Sequence, residues 1–525
     1  MQLSGNYKDS PYFVTNLPSG KGDKYLREVA RDVQRVITRF KQNAFVDSLQ
    51  LHRDDVAYIS KILADFAEDL HNDIGIWRVY EDYNRKLFGV ALPVTEGEEA
   101  DQGVITADRI RHLLWVNLMI MDPDLILSPS NALLSELAEI IAETLAKRIA
   151  PVPRDSGMKK LMNQPNQYGW EVKKKLLRLV DKSYFLRTDY RKFLDDHMFD
   201  DVDLEMIEFL DAFVICEHTS WSGMTALEIL AGVLTLTEQQ RMDLLLWGVC
   251  RESVYRIGTR KGGPYTVTNL FNGRQYPIMT NEVEIFFEEG DTILGKLIPW
   301  NSYWYWCGVQ SRIPAKIGAT IAKSAEFRAM YALRDELLNV GSAEALVRTN
   351  DANKKEFQNF TEYYGGKSVV IFPDGASLVA SERKRLARKR NLNPLRFIKG
   401  IISKDNSDSN ISDLQLPDDL LQCTTRVALY FDLRAGLLYS VGFDSIANIF
   451  AKQGHGLTDL EARRIFYLLQ SAGQSALLIR HLVKEYGGAS LCAALQFSGH
   501  WKSYTLDYLL RRYQGDKSSN VVPDE

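Results

Sequence analysis

A chain of 525 residues with 45% hydrophobic and 25% charged residues has ordinary globular composition and is long enough for several domains, each with its own core. Its 64 basic and 68 acidic residues leave a formal net charge of −4, which excludes a chain built along its whole length to coat nucleic acid but leaves local patches open. The five scattered cysteines, Cys216, Cys250, Cys307, Cys423 and Cys492, contain no CxxC pair, so they read as reduced thiols rather than a zinc knuckle or a thioredoxin-type couple.

The N-terminus lacks the basic-then-apolar pattern of a signal peptide, and no run of 18 apolar residues occurs. A cytoplasmic protein with no membrane contact is the expectation. Residues 1–155 read as a helical region. Leu26, Val29, Val33, Val36, Ile37 and Phe40 recur at steps of three and four, as do Val56, Ile59, Ile62, Leu63, Phe66 and Leu70, and Leu133 through Leu145. Asp54 and Ser130 are the expected N-terminal caps. Glu96–Gly103 reads as a loop. The proline-bearing stretch Ala150–Gln167 leads into a second helical region, 156–250. Its stripes are Val172, Leu176, Leu179 and Val180, then Leu204, Ile207, Leu210, Phe213 and Val214. Two short helices broken near Thr235–Thr237 follow.

The period changes to two at 251–313. Ser253–Arg260, Tyr265–Leu270, Arg274–Met279, Glu282–Phe287, Thr292–Pro299 and Tyr303–Gly308 are short, β-branched and aromatic, with Asn272-Gly273 and Glu289-Gly290-Asp291 as turns. They predict a small antiparallel barrel or rolled sheet. Residues 314–364 return to helix, with Ile317, Ile321, Phe327 and Leu333 as a buried stripe. In the C-terminal α+β region, 365–514, Val369–Phe372 is a strand, Arg426–Asp432 and Gly436–Val441 a strand pair, and the remainder helical. The polar tail, 515–525, is expected to be disordered. The fold class is α+β, predominantly helical.

The helical lead-in Gly223–Trp247, followed by Ser253–Ile257, Val267–Gly273, Glu289–Asp291 and Gly295–Pro299, resembles a segment shared by uncharacterised bacterial proteins. Some of those relatives end in a cysteine-rich SEC-C zinc motif. This chain has no cysteine after Cys492, so a role for that motif does not carry over. The resemblance implies a bacterial cytoplasmic protein and brings no catalytic residue with it.

Two constellations stand out as candidate contact sites. Ser381–Lys404 holds Arg383, Lys384, Arg385, Arg388, Lys389, Arg390, Arg396, Lys399 and Lys404 against one acid, Glu382. Such density attracts phosphates. The charges at 383–390 project around the whole helix, and an acidic stretch, Asp405–Asp419, follows, so a self-paired solvated surface is the competing reading. Trp300, Tyr303, Trp304, Tyr305 and Trp306 form an aromatic cluster. Alternation puts Trp304 and Trp306 on one face of a strand and Tyr303 and Tyr305 on the other, with one face filling the barrel and the other open to a contact.

Glu68 and His71 make one Glu-x-x-His unit. A di-iron bundle needs two such units, so this one reads as a surface pair. Gly365-Gly366-Lys367-Ser368 imitates a phosphate-binding loop but precedes its strand instead of following one. No catalytic residue, metal ligand or cofactor is identified. The leading expectation is a non-enzymatic interaction protein with a protein partner. Nucleic-acid binding through the basic segment is second, and a hydrolase whose site only folding assembles is third.

Overall fold

The computed structural model describes residues 18–95, 101, 103–196, 211, 213–215, 217–250, 252–259, 264–271, 273–280, 287–323, 354–392, 418–432, 436–471, 476–497, 502 and 504–515. The chain is α+β and mostly helical. It divides into two compact units, Met1–Val347 and Arg348–Glu525.

In the first unit the predicted stripes become buried faces. Val29, Val33 and Ile37 of the helix Asp23–Arg39 pack toward Arg53–Asn72 and Ala132–Ile149. The cap residues differ from expectation. His52 caps Arg53–Asn72, its backbone N–H donating to Asp55 at 2.8 Å, while Asp54 lies inside the first turn. Asn131, not Ser130, accepts the Leu134 N–H at the start of Ala132–Ile149. Arg53–Asn72 starts two places before the sequence guess and Ala132–Ile149 one place after it, and the cap must precede the first helical residue.

Ile76–Phe88 and Ala107–Met121 enclose an aromatic core of Phe66, Trp77, Tyr80, Trp115, Tyr184, Phe185 and Trp221. Phe185 stacks on Trp221 at 4.3 Å between centroids, and Trp77 meets Trp221 edge-on at 6.2 Å. His112 sits among these rings with both nitrogens bonded, to Tyr80 Oη at 2.6 Å and Thr95 Oγ1 at 2.7 Å. The two short helices predicted around Thr235 are Ala226–Val233 and Glu238–Leu246, opened by Thr225 and Thr237 in capping boxes.

Five strands then close into a barrel: β1 (Glu252–Ile257), β2 (Tyr265–Asn269), β3 (Gln275–Ile278), β4 (Thr292–Trp300) and β5 (Tyr303–Ile313), in the order β1-β2-β3-β5-β4. Four pairings are antiparallel, and β3 joins β5 in parallel at Ile278 and Trp304. The sequence reading expected an antiparallel sheet. A closed ring of five strands cannot alternate direction all the way round, so one parallel pair is a topological necessity. β5 runs five residues beyond the predicted end. Tyr255, Ile257, Tyr265, Val267, Tyr276, Ile278, Ile293 and Leu297 fill the interior, with Trp304 and Trp306 packed against them.

The outer face of β4 and β5 is seated on helices. Trp300 Nε1 donates to the Asn166 carbonyl at 2.9 Å, and Trp247 Nε1 to the Pro299 carbonyl at 2.8 Å. Tyr305 lies against the start of the helix Gly169–Lys182, where a Cβ on Gly169 would come within 2.8 Å of its ring, so only glycine admits this contact. Ile317, expected in a buried stripe, is 51% exposed in the helix Ala315–Lys323.

The second unit pairs β6 (Val369–Phe372), β7 (Val427–Asp432) and β8 (Gly436–Ser440) as an antiparallel sheet. The helices Gly375–Leu392 and Ala476–Tyr486 pack on it. Its core holds Phe360, Leu378, Val379, Leu420, Val427, Leu429 and Phe431. The expected strand Glu282–Phe287 apart from Phe287, the stripe residues Leu204, Ile207, Leu210, Phe327 and Leu333, Asn272, and the tail after Gly515 lie outside the described residues. No helix among the described residues is long and apolar enough to cross a membrane.

Candidate functional site

The basic segment forms the second half of the helix Gly375–Leu392. Asp374 starts it by accepting the Ser377 N–H at 2.7 Å, and those bonds hold its carboxyl below the usual range. Leu378 and Val379 bury one face, and the next positions on that face are Glu382 and Arg385, both buried. Arg385 grips the Glu382 carboxylate through Nε and Nη2 at 2.8–3.0 Å, while Tyr364 Oη donates to Glu382 Oε1 at 2.6 Å. Burial, with the Glu382 hydrogen bond second, pushes the Tyr364 phenol up. The helix therefore has an inner side after all, completed by an ion pair where the sequence shows only charges.

Arg383, Lys384 and Arg388 are on the solvent face and make no ion pair with any described residue. The Lys389 and Arg390 side chains, the residues Arg396, Lys399 and Lys404, and most of Asp405–Asp419 lie outside the described residues. The charge is unevenly shared along the chain. Residues 348–525 carry 24 basic and 19 acidic residues, and residues 1–347 carry 40 and 49.

The aromatic cluster is largely engaged in packing within the first unit. Trp300 and Tyr305 are buried under the helical layer, and Trp170 meets Tyr305 edge-on at 5.5 Å. Burial raises the Tyr305 phenol to about 12. Trp304 and Trp306 point inward, meeting Tyr276 at 5.0 Å and Tyr255 at 5.5 Å, with Trp306 Nε1 donating to Tyr265 Oη at 2.7 Å. Tyr303 is half-buried. The alternation predicted from the sequence is present, with Trp300 and Tyr305 buried and Tyr303, Trp304 and Trp306 half-buried.

Glu68 and His71 are not a surface pair either. Glu68 Oε1 accepts the Ser156 hydroxyl at 2.5 Å, and His71 Nε2 meets the Val152 carbonyl at 2.8 Å. The two side chains hold the 150s loop from one helix and share no ligand. Burial pushes Glu68 up to about 7, partly offset by the Ser156 hydrogen bond. A carboxyl whose folded value lies above its unfolded value favours the fold fully below about 4.5, and that contribution is lost as pH rises through about 7. Glu68→Gln should therefore change stability little at pH 4.5 and raise it, relative to the parent chain, at pH 8. Parallel urea titrations at the two pH values check this, and an equal effect at both would contradict it.

Described residues of the first unit line clefts at two places. One, about 520 Å³, is lined by Met162–Gln167, Thr235 and Gln240, an amide-rich wall without His, Asp or Glu. Beneath its loop the Lys175 ammonium is caged by the Met162, Gln164 and Pro165 carbonyls and Asn166 Oδ1. Desolvation lowers that lysine to about 8. The other cleft, about 400 Å³, is lined by Val104, Ile105, Ile149 and Val152 together with His71 and Arg154, and is polar and apolar in near-equal parts. No cluster of His, Cys, Asp or Glu that could hold a metal ion occurs among the described residues.

One constellation escapes sequence reasoning entirely. The Lys173 ammonium donates to Asp211 Oδ1 and to Cys307 Sγ at 3.0 Å, and the Cys307 thiol donates to Asp211 Oδ2 at 2.9 Å. All three residues are buried. Burial first, and the Asp211 charge second, push the Cys307 thiol up to about 11. The only clue in the sequence was a lysine beside Val172 on an otherwise apolar helix face.

No protein-family model matches the chain, and no curated protein or solved structure matches it.

Proposed function

We propose that this protein binds nucleic acid through the solvent face of the helix Gly375–Leu392, with Arg383, Lys384 and Arg388 as phosphate contacts. One observation carries the reading. The single acid of the segment, Glu382, is buried and occupied by Arg385, so no described residue neutralises the outer face. The excess of basic over acidic residues in 348–525 adds to the attraction. The barrel does not serve as a stacking platform in this reading, because that needs rings on an outer face, and the rings of Tyr255, Tyr276, Trp304 and Trp306 pack inside.

Three neutralised phosphates give a log–log salt slope of about −2.7 on duplex DNA, so affinity should fall roughly 40-fold between 50 and 200 mM salt. Combining Arg383→Glu, Lys384→Glu and Arg388→Glu should abolish retention on an immobilised duplex. Arg385 is left intact in this variant because its loss would strand Glu382 in the core. A slope near zero, or a triple variant retained like the parent, contradicts the proposal.

A second reading, a protein partner, draws on Met242 and Leu245 of the helix Glu238–Leu246. They are 55% and 42% exposed, one turn apart, beside β4. An unchanged triple variant would shift the balance to that apolar pair.

A further inference from the structure

Lys173, Asp211 and Cys307 form a buried triangle that nucleic-acid binding does not use. It lies where the helix Gly169–Lys182 meets the outer face of β5. The backbone is shaped for it. Gly308, next to the cysteine, has φ +71°, and a Cβ there would lie 3.2 Å from Asp211 Oδ2. A side chain at 308 would be strained and would crowd the carboxylate. The result is an amine and a thiol held 3.0 Å apart, both bonded to one carboxylate.

That arrangement restricts the chemistry available to the thiol. Burial keeps out glutathione-sized disulfides, and Cys307 itself is held as a thiol by Lys173 and Asp211. A water-sized oxidant is the reagent that fits. Once the sulfur is oxidised, the nitrogen of Lys173 is the nucleophile beside it.

We propose that Lys173 and Cys307 are an oxidation site, joined by hydrogen peroxide into a covalent Nζ–O–Sγ bridge that fastens the helix Gly169–Lys182 to strand β5. The first peroxide breaks its O–O bond at sulfur, giving the sulfenic acid and one water, with Asp211 relaying the thiol proton. Asp211 also accepts the proton that Lys173 must shed. The second peroxide removes one hydrogen from the sulfenic hydroxyl and one from the amine as the N–O bond forms, and leaves as two waters. Two equivalents of peroxide are reduced while sulfur and nitrogen are oxidised. At 3.0 Å a single oxygen spans the gap, whereas a direct S–N bond would require helix and strand to close up. The high protonation of the thiol makes the site slow, so it responds to sustained rather than brief exposure.

The test is peptide mapping of the full chain after graded hydrogen peroxide, with and without dithiothreitol. The expected product is a cross-linked pair of peptides carrying Lys173 and Cys307, heavier than their sum by one oxygen and lighter by two hydrogens, which dithiothreitol separates. Lys173→Arg and Cys307→Ser should each eliminate it. Fragment ions from the parent chain locate both ends of the bridge even if a variant fails to fold. Recovery of Cys307 unmodified, as a sulfinic or sulfonic acid beside an intact Lys173, or bridged without oxygen, would overturn the proposal.

Discussion

Replacing Asp69 by alanine should destabilise the first unit by about 3–5 kcal/mol, the range for removing one partner of a buried, charge-assisted network. Asp69 is fully buried at the end of Arg53–Asn72 and accepts four hydrogen bonds. Three come from the backbone N–H groups that open the helix Ile76–Phe88: Gly75 at 2.7 Å, Ile76 at 3.1 Å and Trp77 at 2.8 Å. The fourth comes from Tyr184 Oη at 2.7 Å. All four partners donate, the pattern an ionised carboxylate satisfies. The first N–H groups of a helix have no intrahelical acceptor, and the helix dipole favours negative charge there. Alanine would strand all four donors where water does not reach, in contact with the aromatic core through Trp77 and Tyr184. Asp69→Asn should be intermediate, because an amide offers one accepting oxygen and turns two donors toward donors. Eight of the nine tryptophans precede residue 348, so fluorescence-monitored denaturation reports chiefly on this unit. A cost below about 1 kcal/mol for alanine would show that water replaces the carboxylate.

The position of Asp69 shows which features the sequence made legible. Apolar periodicity located the helical faces of Asp23–Arg39 and Arg53–Asn72, and strict alternation located β2, because both patterns follow from burying one side of a regular backbone. Turn chemistry identified the barrel but not the parallel closure of β3 on β5, which depends on strand count rather than on any residue. Polar residues on buried faces carry no comparable pattern. Asp69 follows Phe66 by three positions and Glu382 follows Val379 by three, so both lie on apolar stripes and both are buried. Their neighbours, Glu68 with His71 and the run of arginines, carry the more conspicuous spacing. The Lys173–Asp211–Cys307 triangle was out of reach because Lys173 and Cys307 are 134 positions apart. A polar residue on the buried side of an otherwise clean stripe is the signal that both misses share.

Arg109→Met should cost the same unit about 3–5 kcal/mol, and adding Glu81→Gln should recover a substantial part of that loss. Arg109 and Glu81 are each about 3% exposed at the side chain, and the guanidinium makes a two-pronged contact, Nε to Oε1 at 2.8 Å and Nη2 to Oε2 at 2.9 Å. Arg109 Nη1 also donates to the Asp101 carbonyl at 3.0 Å and the Val104 carbonyl at 2.5 Å, tying both residues to Ala107–Met121. Trp77 Nε1 donates to the same Glu81 Oε1 at 2.7 Å, so the pair adjoins the aromatic core. Methionine fills much of the arginine's volume, so most of the loss arises from a carboxylate left in the interior with Arg85, at 3.4 Å, as its remaining basic contact. Glutamine at 81 removes that charge and keeps an oxygen for Trp77. The double variant should therefore be more stable than Arg109→Met alone, with a coupling toward the upper end of the roughly 0.5–3 kcal/mol range typical of contacting pairs. Strict additivity in the cycle would mean that Glu81 tolerates its charge without Arg109. The burial of both side chains argues against that outcome.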